Sequence, residues 1–390
     1  MHTELPNPGA AAREHSQNLA ALIRERITAA GGWIGFADYM QLALYAPGYG
    51  YYSAGATKFG AAGDFVTAPE ISSLFSRCVA RQCAHVLESM GGGDVLEPGA
   101  GTGTMAVDML REFERLGQIP ERYLILETSA ELRRRQQENI KSLPEHLVAR
   151  VHWLDVLPQT PIRGVIVANE VADALPVRRF IMTDNGVGEL GVAVIEGRLV
   201  AEVTEADPQM ADRVNQLFAG QGAPEAGYCS ELNDLLPGWV ASLAGCLNAG
   251  IILLFDYGFS RQEYYLPERR SGTLRCYFRH RAHEDPFVWP GLQDITAWVD
   301  FSLLAQSALD AELVVDGYTT QAQFLLAGGI DEMVEQLIDQ EPKAQVEMAQ
   351  GLRQLLLPGE MGEAIKVMAL RRGDVAVPPA MFGRDMRSSL

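Results

Sequence analysis

An apolar run that ends in an acid and then breaks into alternating glycines is the feature that most constrains this chain. The run is DVLEPGAGTGT, residues 94–104. Apolar residues followed by such a break indicate a buried strand that enters a tight turn. Helical spacing resumes over residues 105–116. Side chains are absent at three turn positions, where the backbone can approach a ligand closely, namely Gly99, Gly101 and Gly103. The pattern predicts a strand, a ligand-binding turn and a helix within an α/β domain.

The spacing of these glycines favours S-adenosylmethionine over a dinucleotide or ATP. The third glycine follows the second by two positions, whereas the dinucleotide motif G-x-G-x-x-G requires three. No Lys-Ser/Thr pair follows, as it would in a phosphate-binding loop. Glu97, at the strand end, suits a cationic or hydroxyl-rich ligand better than a pyrophosphate. A glycine-rich turn can also serve sterics alone, so the motif by itself leaves both interpretations open.

Three further apolar runs also end in acids. YLILE ends at Glu127, VHWLD at Asp155 and GVIVANE at Glu170. A carboxylate at the tip of the second strand of an α/β nucleotide site is placed to bind ribose hydroxyls. Each acid alone could simply mark a strand end. Four of them at one edge of a parallel sheet favour a nucleoside site.

The composition indicates an ordinary globular enzyme. The chain has 390 residues, of which 47% are hydrophobic and 21% charged, and its formal net charge is −18. That charge argues against nucleic acid or an anionic membrane as the main partner. Five cysteines without a C-x-x-C pair argue against a disulfide framework and a zinc ribbon, so we predict no metal site. Without a signal-peptide pattern, and with acids near the N-terminus, the expected location is the cytoplasm.

The pattern along the chain suggests four parts. Residues 1–90 are expected to form an N-terminal helical region with a Gly- and Tyr-rich lid loop, and residues 91–174 a cofactor-binding core. Period-two segments then predict β-hairpins in an inserted lobe at 175–249. Residues 250–390 complete the sheet and add C-terminal helices. Within this last part, residues 319–329 are predicted to be a strand or loop.

Eight motifs in a fixed order give the chain a family resemblance. They are GDFVTAPEIS (63–72), LEPGAGTG (96–103), LETSAELRRRQ (126–136), NEVADALPV (169–177), FDYG (255–258), GTLRCYFRH (272–280), PGLQDITAWVDF (290–301) and QAQFLLAGGI (321–330). With these motifs the chain resembles the MidA-like S-adenosylmethionine-dependent methyltransferases. The mitochondrial members of that family are assembly factors for respiratory complex I.

The resemblance implies a class I methyltransferase fold, in which a Rossmann-like α/β sheet carries helices on both faces. It also implies protein arginine methylation of a complex I subunit. By matching motifs, Glu97 and the three turn glycines would hold the methionine end of the cofactor, Glu127 its ribose, and Asp155 would lie near the adenine. The family motif NEFFDALP is NEVADALP here, with Val171 and Ala172 replacing two aromatic residues.

The chemistry also points to an acidic acceptor site. A guanidinium stays protonated in water, so acidic groups must orient it and help to remove a proton. The candidates for this role are Asn169, Glu170 and Asp173, which follow the fourth apolar run; a helix cap and a salt bridge would also explain them. Asp64 and Glu70 are candidates to close over the cofactor, with turn and N-cap roles as the alternative.

The sequence therefore favours a protein arginine methyltransferase that uses S-adenosylmethionine and acts on a protein partner. Three other functions stay open. The first is an assembly chaperone that binds the cofactor without turnover, and the second is a small-molecule methyltransferase. The third is a nicotinamide-dependent oxidoreductase with an irregular glycine turn.

Overall fold

The structure, a computed structural model, describes residues 5–53, 66–220, 222–335 and 342–390. Residues 54–65 of the expected lid loop, which include Asp64, lie outside these ranges. The helices are α1 (Ala10–Ala29), α2 (Phe36–Tyr45), α3 (Ala68–Ile71), α4 (Ser73–Met90), α5 (Thr104–Leu116), α6 (Ala130–Ile140), α7 (Glu145–Val148), α8 (Pro208–Leu217), α9 (Leu236–Gly245), α10 (Arg261–Tyr264), α11 (Phe301–Asp310), α12 (Gln321–Ala327), α13 (Ile330–Glu335), α14 (Pro342–Leu356) and α15 (Met361–Ala364).

The strands alternate with these helices along the chain. They are β1 (Trp33–Gly35), β2 (Asp94–Pro98), β3 (Tyr123–Leu126), β4 (Val151–Leu154), β5 (Ile162–Asn169), β6 (Arg178–Thr183), β7 (Gly186–Ile195), β8 (Arg198–Glu205), β9 (Cys229–Leu232), β10 (Leu247–Phe259), β11 (Arg275–Phe278), β12 (Arg281–His283), β13 (Asp294–Thr296), β14 (Val299–Asp300), β15 (Val314–Thr320) and β16 (Ile365–Arg372). Among the described helices, none is long and apolar enough to cross a bilayer.

The chain divides into two compact units that interleave in sequence. The lobe unit comprises Met1–Phe65, Asp173–Leu236 and Phe259–Asp300, and the core unit comprises Val66–Ala172, Pro237–Gly258 and Phe301–Leu390. The predicted four-part division follows sequence order and stays a prediction.

A mostly parallel sheet organises the core unit. Its strands run in the order β15-β16-β10-β5-β2-β3-β4. Neighbours from β10 to β4 pair in parallel, whereas β16 is antiparallel to both β10 and β15. The central strands are continuous apolar runs because both faces are buried, as is usual for parallel sheets. Parallel strands bring their carboxyl ends to one edge, so the acids predicted at those ends belong to one edge of this sheet.

Two small sheets form the lobe unit. One has the strand order β1-β7-β6-β9, with β8 paired to β7, and the other has the order β12-β11-β13. The hairpins predicted in the insertion are β6-β7 and β7-β8. Glu196 and Gly197 turn the second hairpin with φ of 50° and 76°, the left-handed geometry that two-residue hairpins favour.

Residues 319–329 differ from the prediction. Thr319 and Thr320 end β15, but helix α12 starts at Gln321. The Thr320 hydroxyl caps this helix by accepting a hydrogen bond from the Gln323 backbone N–H at 3.3 Å. Phe324 is fully buried in the hydrophobic core of the unit. Tertiary packing and the cap therefore decide in favour of a helix.

A buried carboxylate joins α4 to α5. Glu112 on α5 is 2% exposed and accepts hydrogen bonds from the Nε atoms of Arg77 and Arg81, each at 3.1 Å. Arg115 adds a third contact at 2.6 Å. Burial alone would raise the pKa of Glu112, but the hydrogen bonds from the three arginines outweigh it and hold the pKa at about 2.

We expect Glu112→Gln to lower the free energy of unfolding by about 2–3 kcal/mol, because the partly buried Arg77 and Arg81 and the exposed Arg115 would lose their ionised partner. Urea denaturation at pH 7 measures the change. Glu114→Gln is the matched control on the same helix. Glu114 is exposed and pairs with the exposed His146, so we expect a change below about 0.5 kcal/mol. Equal effects of the two substitutions would show that the arginine cluster does not stabilise the α4-α5 contact.

Candidate active site at the carboxyl edge of the core sheet

The glycine turn lies between β2 and α5. Gly99, Gly101 and Gly103 have φ of 68°, 54° and 83°, which side chains rarely tolerate. A Cβ atom on Gly99 would lie 3.1 Å from Cγ2 of Val171, and one on Gly103 would lie 3.2 Å from Cα of Gln136. The turn therefore requires glycine at both positions, and it leads into the N-terminus of α5.

Gln136 on α6 holds the turn from one side. It is fully buried, and its Nε2 donates hydrogen bonds to the carbonyl oxygen of Gly101 and to Oε2 of Glu127, each at 3.0 Å. Its Oε1 accepts a hydrogen bond from Nε1 of Trp153 at 3.0 Å. The sequence patterns did not single out Gln136, although it ends the motif LETSAELRRRQ. Its role is to fix the turn against the neighbouring strand end.

Glu127 follows β3 and is 6% exposed. Its Oε1 accepts a hydrogen bond from the backbone N–H of Ser129 at 2.7 Å, and the Ser129 side chain caps α6. Through Gln136 this carboxylate is linked to Gly101. The structure therefore brings together the acid at the tip of the second strand and the glycine turn. A ribose-binding role for Glu127 stays a prediction.

Glu97 is held inside the sheet-and-helix layer. It is 2% exposed, and its Oε2 accepts a hydrogen bond from the hydroxyl of Tyr123 at 2.6 Å. Burial raises the pKa of Glu97 to about 7, and the hydrogen bond from Tyr123 opposes this rise. The carboxylate already has a protein partner in this arrangement, and its contact with a cofactor stays a prediction.

Glu97 should make stability depend on pH. Its folded pKa lies above the ordinary value of 4.5, so its stabilising contribution is present below pH 4.5 and is lost as pH rises through about 7. We expect Glu97→Gln to gain on the order of 3 kcal/mol relative to wild type between pH 4.5 and 8. Urea denaturation across this range measures the difference. Glu138→Gln, at an exposed carboxylate, should follow wild type. If the difference in stability between Glu97→Gln and wild type did not change with pH, the raised pKa of Glu97 would be contradicted.

Asp155 lies just beyond β4, and its side chain is 82% exposed. It pairs with Arg133 at 2.6 Å, and Arg133 also donates to the carbonyl oxygens of Glu127 and Leu154, each at 3.1 Å. Arg133 therefore ties the ends of β3 and β4 together. The proximity of Asp155 to an adenine stays a prediction.

Glu70 lies in the first turn of α3. The hydroxyl of Thr102, within the glycine turn, donates a hydrogen bond to its Oε1 at 3.0 Å. The structure thus places Glu70 against the turn, as expected for a group near the cofactor, although cofactor contact itself stays a prediction.

Glu170 directly follows β5 in a strained conformation. Its φ is 52°, which is uncommon for a residue other than glycine and typical of functional sites. Its Oε1 accepts hydrogen bonds from Nδ2 of Asn169 at 3.0 Å and from the backbone N–H of Ala68 at 3.3 Å. Oδ1 of Asn169 is buried and has no hydrogen-bond partner among the residues described.

Burial raises the pKa of Glu170 to about 8. Hydrogen bonds from Asn169 and Ala68 oppose the shift, while the nearby carboxylates of Asp256 and Glu70 reinforce it. A carboxyl group that titrates near neutral pH at a strand end has the properties of a general base.

Asp173, the third predicted catalytic residue, lies in the lobe unit, whereas Asn169 and Glu170 lie in the core unit. It is 7% exposed, and its carbonyl oxygen accepts a hydrogen bond from the Ala297 N–H at 2.9 Å. Asn169 and Glu170 contact each other within the core unit. A catalytic role for Asp173 stays a prediction.

The residues at this edge fit a cationic ligand that carries hydroxyl groups. The glycine turn leaves no side chain at its closest points, and Asn169 offers a buried acceptor atom without a partner in the described part of the chain. The carboxylates of Glu70 and Asp256 lie close enough to Glu170 to raise its proton affinity. Such a cluster favours a positive charge. These properties suit the sulfonium of S-adenosylmethionine.

Comparisons with known proteins agree with this geometry. Residues 78–319 match a family model described as "Putative S-adenosyl-L-methionine-dependent methyltransferase". The protein arginine methyltransferase NDUFAF7, mitochondrial, of Danio rerio is 29% identical over 369 residues, covering 87% of this chain and 84% of that protein. The Homo sapiens protein of the same name is 28% identical over 380 residues, covering 87% and 80%.

A solved structure supports the fold directly. A Burkholderia thailandensis protein, crystallised with S-adenosyl-homocysteine, is 41% identical and superposes with a TM-score of 0.94, covering 99% of this chain and 100% of that one. This likeness confirms the predicted class I fold, a Rossmann-like α/β sheet with an inserted lobe and an N-terminal extension.

The predicted location in the cell is wrong. The sequence predicts a cytoplasmic protein, but relatives of the chain in Danio rerio, Mus musculus and Homo sapiens are named as mitochondrial proteins. Cysteine usage separates reducing compartments from oxidising ones, and it does not separate one reducing compartment from another.

Proposed function

We propose, on the premise that this chain belongs to the S-adenosyl-L-methionine-dependent methyltransferase family, that it methylates a protein on an arginine side chain. The observation that carries the proposal is Glu170. Its backbone is strained, and its carboxyl group has a raised pKa and lies near two other carboxylates at the edge that holds the glycine turn. The arrangement suits a cationic acceptor that must lose a proton.

We assign the cofactor, S-adenosylmethionine, to the glycine turn and its neighbours. Gly99, Gly101 and Gly103 would receive the methionine end together with Glu97, and Glu127 would bind the ribose. Asp155 would lie near the adenine and Glu70 over the ligand, a role that the sequence also predicts for Asp64. S-adenosylmethionine supplies an electrophilic methyl group on a sulfonium when it is bound. The protein mainly has to hold the acceptor in line and exclude water.

Glu170 would accept the proton of the acceptor. A guanidinium keeps its proton in water, so methylation requires a base near the attacking nitrogen. Glu170 holds its own proton at neutral pH because of burial, but a bound guanidinium would favour the ionised carboxylate. Asn169 would orient Glu170 through its hydrogen bond. Asp173 belongs to the proposal on the sequence motif alone.

The finer identity of the acceptor rests on the resemblance to the MidA-like family and on the names of the curated relatives. These relatives are named protein arginine methyltransferases. We propose a subunit of respiratory complex I as the acceptor protein. A cofactor-binding assembly chaperone and a small-molecule methyltransferase are the alternatives.

Fractionated extract separates these functions. Extract from cells that lack the protein is divided into macromolecules and a small-molecule filtrate, and each is incubated with purified protein and methyl-labelled S-adenosylmethionine. We expect label in one polypeptide of the macromolecular fraction. Label in the filtrate alone would favour a small-molecule methyltransferase. No label in either fraction, from protein that binds the cofactor, would favour the chaperone.

A further inference from the structure

Asp256 on β10 lies at the same edge as Glu170. In the parallel pairing of β10 with β5, Phe255 is opposite Asn169. Asp256 and Glu170 each come one residue later in the sequence. Asp256 is 3% exposed. Its Oδ2 accepts hydrogen bonds from the backbone N–H groups of Val171 at 3.2 Å and Ala172 at 2.8 Å.

These two hydrogen bonds act on the residues that directly follow the strained Glu170. A left-handed conformation in a residue other than glycine is strained and persists only where the surroundings enforce it. The backbone N–H of Glu170 donates to the carbonyl oxygen of Phe255 at 2.8 Å. Strand β10 therefore holds the chain at Glu170 and directly after it, through one backbone oxygen and one carboxylate.

We infer that Asp256 is a positioning residue for methyl transfer, which holds Glu170 in its left-handed conformation so that its carboxylate faces the acceptor. The inference rests on the proposed function and adds a residue to it. Asp256 is not among the predicted site residues, and none of those that the structure describes accepts the hydrogen bonds from the Val171 and Ala172 N–H groups.

Other charged groups also surround Asp256. Glu170 on the β5 side and Glu70 on α3 belong to the same electrostatic cluster. Lys366 on β16 is opposite Asp256 in the antiparallel register, and it is 5% exposed. Its Nζ donates to the carbonyl oxygen of Glu363. Burial is the main cause of the raised pKa of Glu170, and the negative charge of Asp256 raises this pKa further. Removing that charge should therefore move the Glu170 titration to lower pH.

Asp256→Asn tests the inference. The carboxylate accepts hydrogen bonds at both oxygens, from the Val171 and Ala172 N–H groups at Oδ2 and from the Tyr257 N–H at Oδ1 at 2.9 Å. An amide has a single acceptor oxygen, so in either orientation its NH2 group would face N–H donors, and the backbone after Glu170 or at Tyr257 would have to shift. Two measurements are made on the full-length protein. The first is the initial rate of label incorporation into the macromolecular extract between pH 6.5 and 9. The second is the titration of glutamate side chains labelled with carbon-13 at the carboxyl, assigned with Glu170→Gln.

Asp94→Asn is the matched control. Asp94 is 5% exposed and begins β2, at the opposite end of the same sheet, where it pairs with Arg122 at 2.5 Å. We expect this control to lose stability while keeping the wild-type rate and the wild-type Glu170 titration.

For Asp256→Asn we expect a rate about ten- to a hundredfold lower, with S-adenosyl-homocysteine affinity within about threefold of wild type. The Glu170 titration and the rise of the rate with pH should both move to lower pH. An unchanged rate with an unchanged titration would overturn the inference. So would a loss of rate matched by the loss of cofactor affinity, with no shift in the titration, because that is the result of a purely structural role.

Asp256→Glu is a second variant that tests the inference if Asp256→Asn does not fold. It retains the charge but displaces it by one methylene, so the rate should fall while the Glu170 titration stays closer to that of wild type. A wild-type rate in this variant would overturn the inference. If wild-type protein transfers no methyl group at all, the proposed function fails, whereas the carbon-13 titration still reports whether Asp256 controls Glu170.

Discussion

Gly101→Val should abolish cofactor binding. Gly101 has φ of 54°, and a β-branched side chain is a strong outlier in that region. Its carbonyl oxygen is already fixed by Nε2 of Gln136 at 3.0 Å, so the turn cannot relax without losing this contact. We expect the Kd for S-adenosyl-homocysteine to rise more than about a hundredfold, about 2.7 kcal/mol or more. Isothermal titration calorimetry measures it.

Gly117→Val controls for backbone strain. Gly117 has φ of 71° and caps α5 at its C-terminal end, where an added Cβ would have no heavy atom of the described chain within 4 Å. The substitution should lower stability but leave the affinity for S-adenosyl-homocysteine close to that of wild type. If Gly101→Val bound the ligand as tightly as Gly117→Val does, the glycine turn would not be the cofactor site.

Glu170→Gln should separate catalysis from binding. The amide is isosteric, and its oxygen can still accept hydrogen bonds from Nδ2 of Asn169 and the N–H of Ala68. It cannot accept a proton from the acceptor. We expect kcat to fall by about 10²–10⁴, the usual contribution of a general base, while the affinity for S-adenosyl-homocysteine changes little.

The dependence on pH gives the same residue a second test. Because burial raises the pKa of Glu170 to about 8, the wild-type kcat/KM should increase as pH rises toward that value, where the ionised form becomes available. The Glu170→Gln rate should not show this increase. Initial rates between pH 6 and 9 measure both profiles. A wild-type rate in Glu170→Gln would exclude Glu170 as the base.

Local patterns are enough to predict the centre of the fold. An apolar strand, a turn without side chains and an amphipathic helix are encoded by neighbouring residues, so the segment from β2 to α5 could be predicted from residues 94–116. The acids at the strand ends could also be predicted, because parallel strands bring their carboxyl ends to one edge. Glu127 and Glu170 lie where that rule places them.

Contacts between distant residues could not be predicted. Gln136 contacts Gly101 across 35 positions, and Asp256 contacts Val171 across 85. No local pattern encodes such pairs. Helix α12 could not be predicted for a similar reason. The burial of Phe324 in the core outweighs the local pattern of its segment, which predicts a strand or loop. The interleaving of the two units, in which the lobe unit resumes at Asp173, also depends on tertiary contacts alone.

The identity of the residue that receives the methyl group tests the central claim most directly. Wild-type protein and Gly101→Val are each incubated with methyl-labelled S-adenosylmethionine and the macromolecular extract, and the labelled polypeptide is hydrolysed for amino-acid analysis. We expect labelled methylarginine with wild type and none with Gly101→Val. Label on any other residue, or equal labelling with the variant, would contradict the assignment of an arginine methyltransferase to this site.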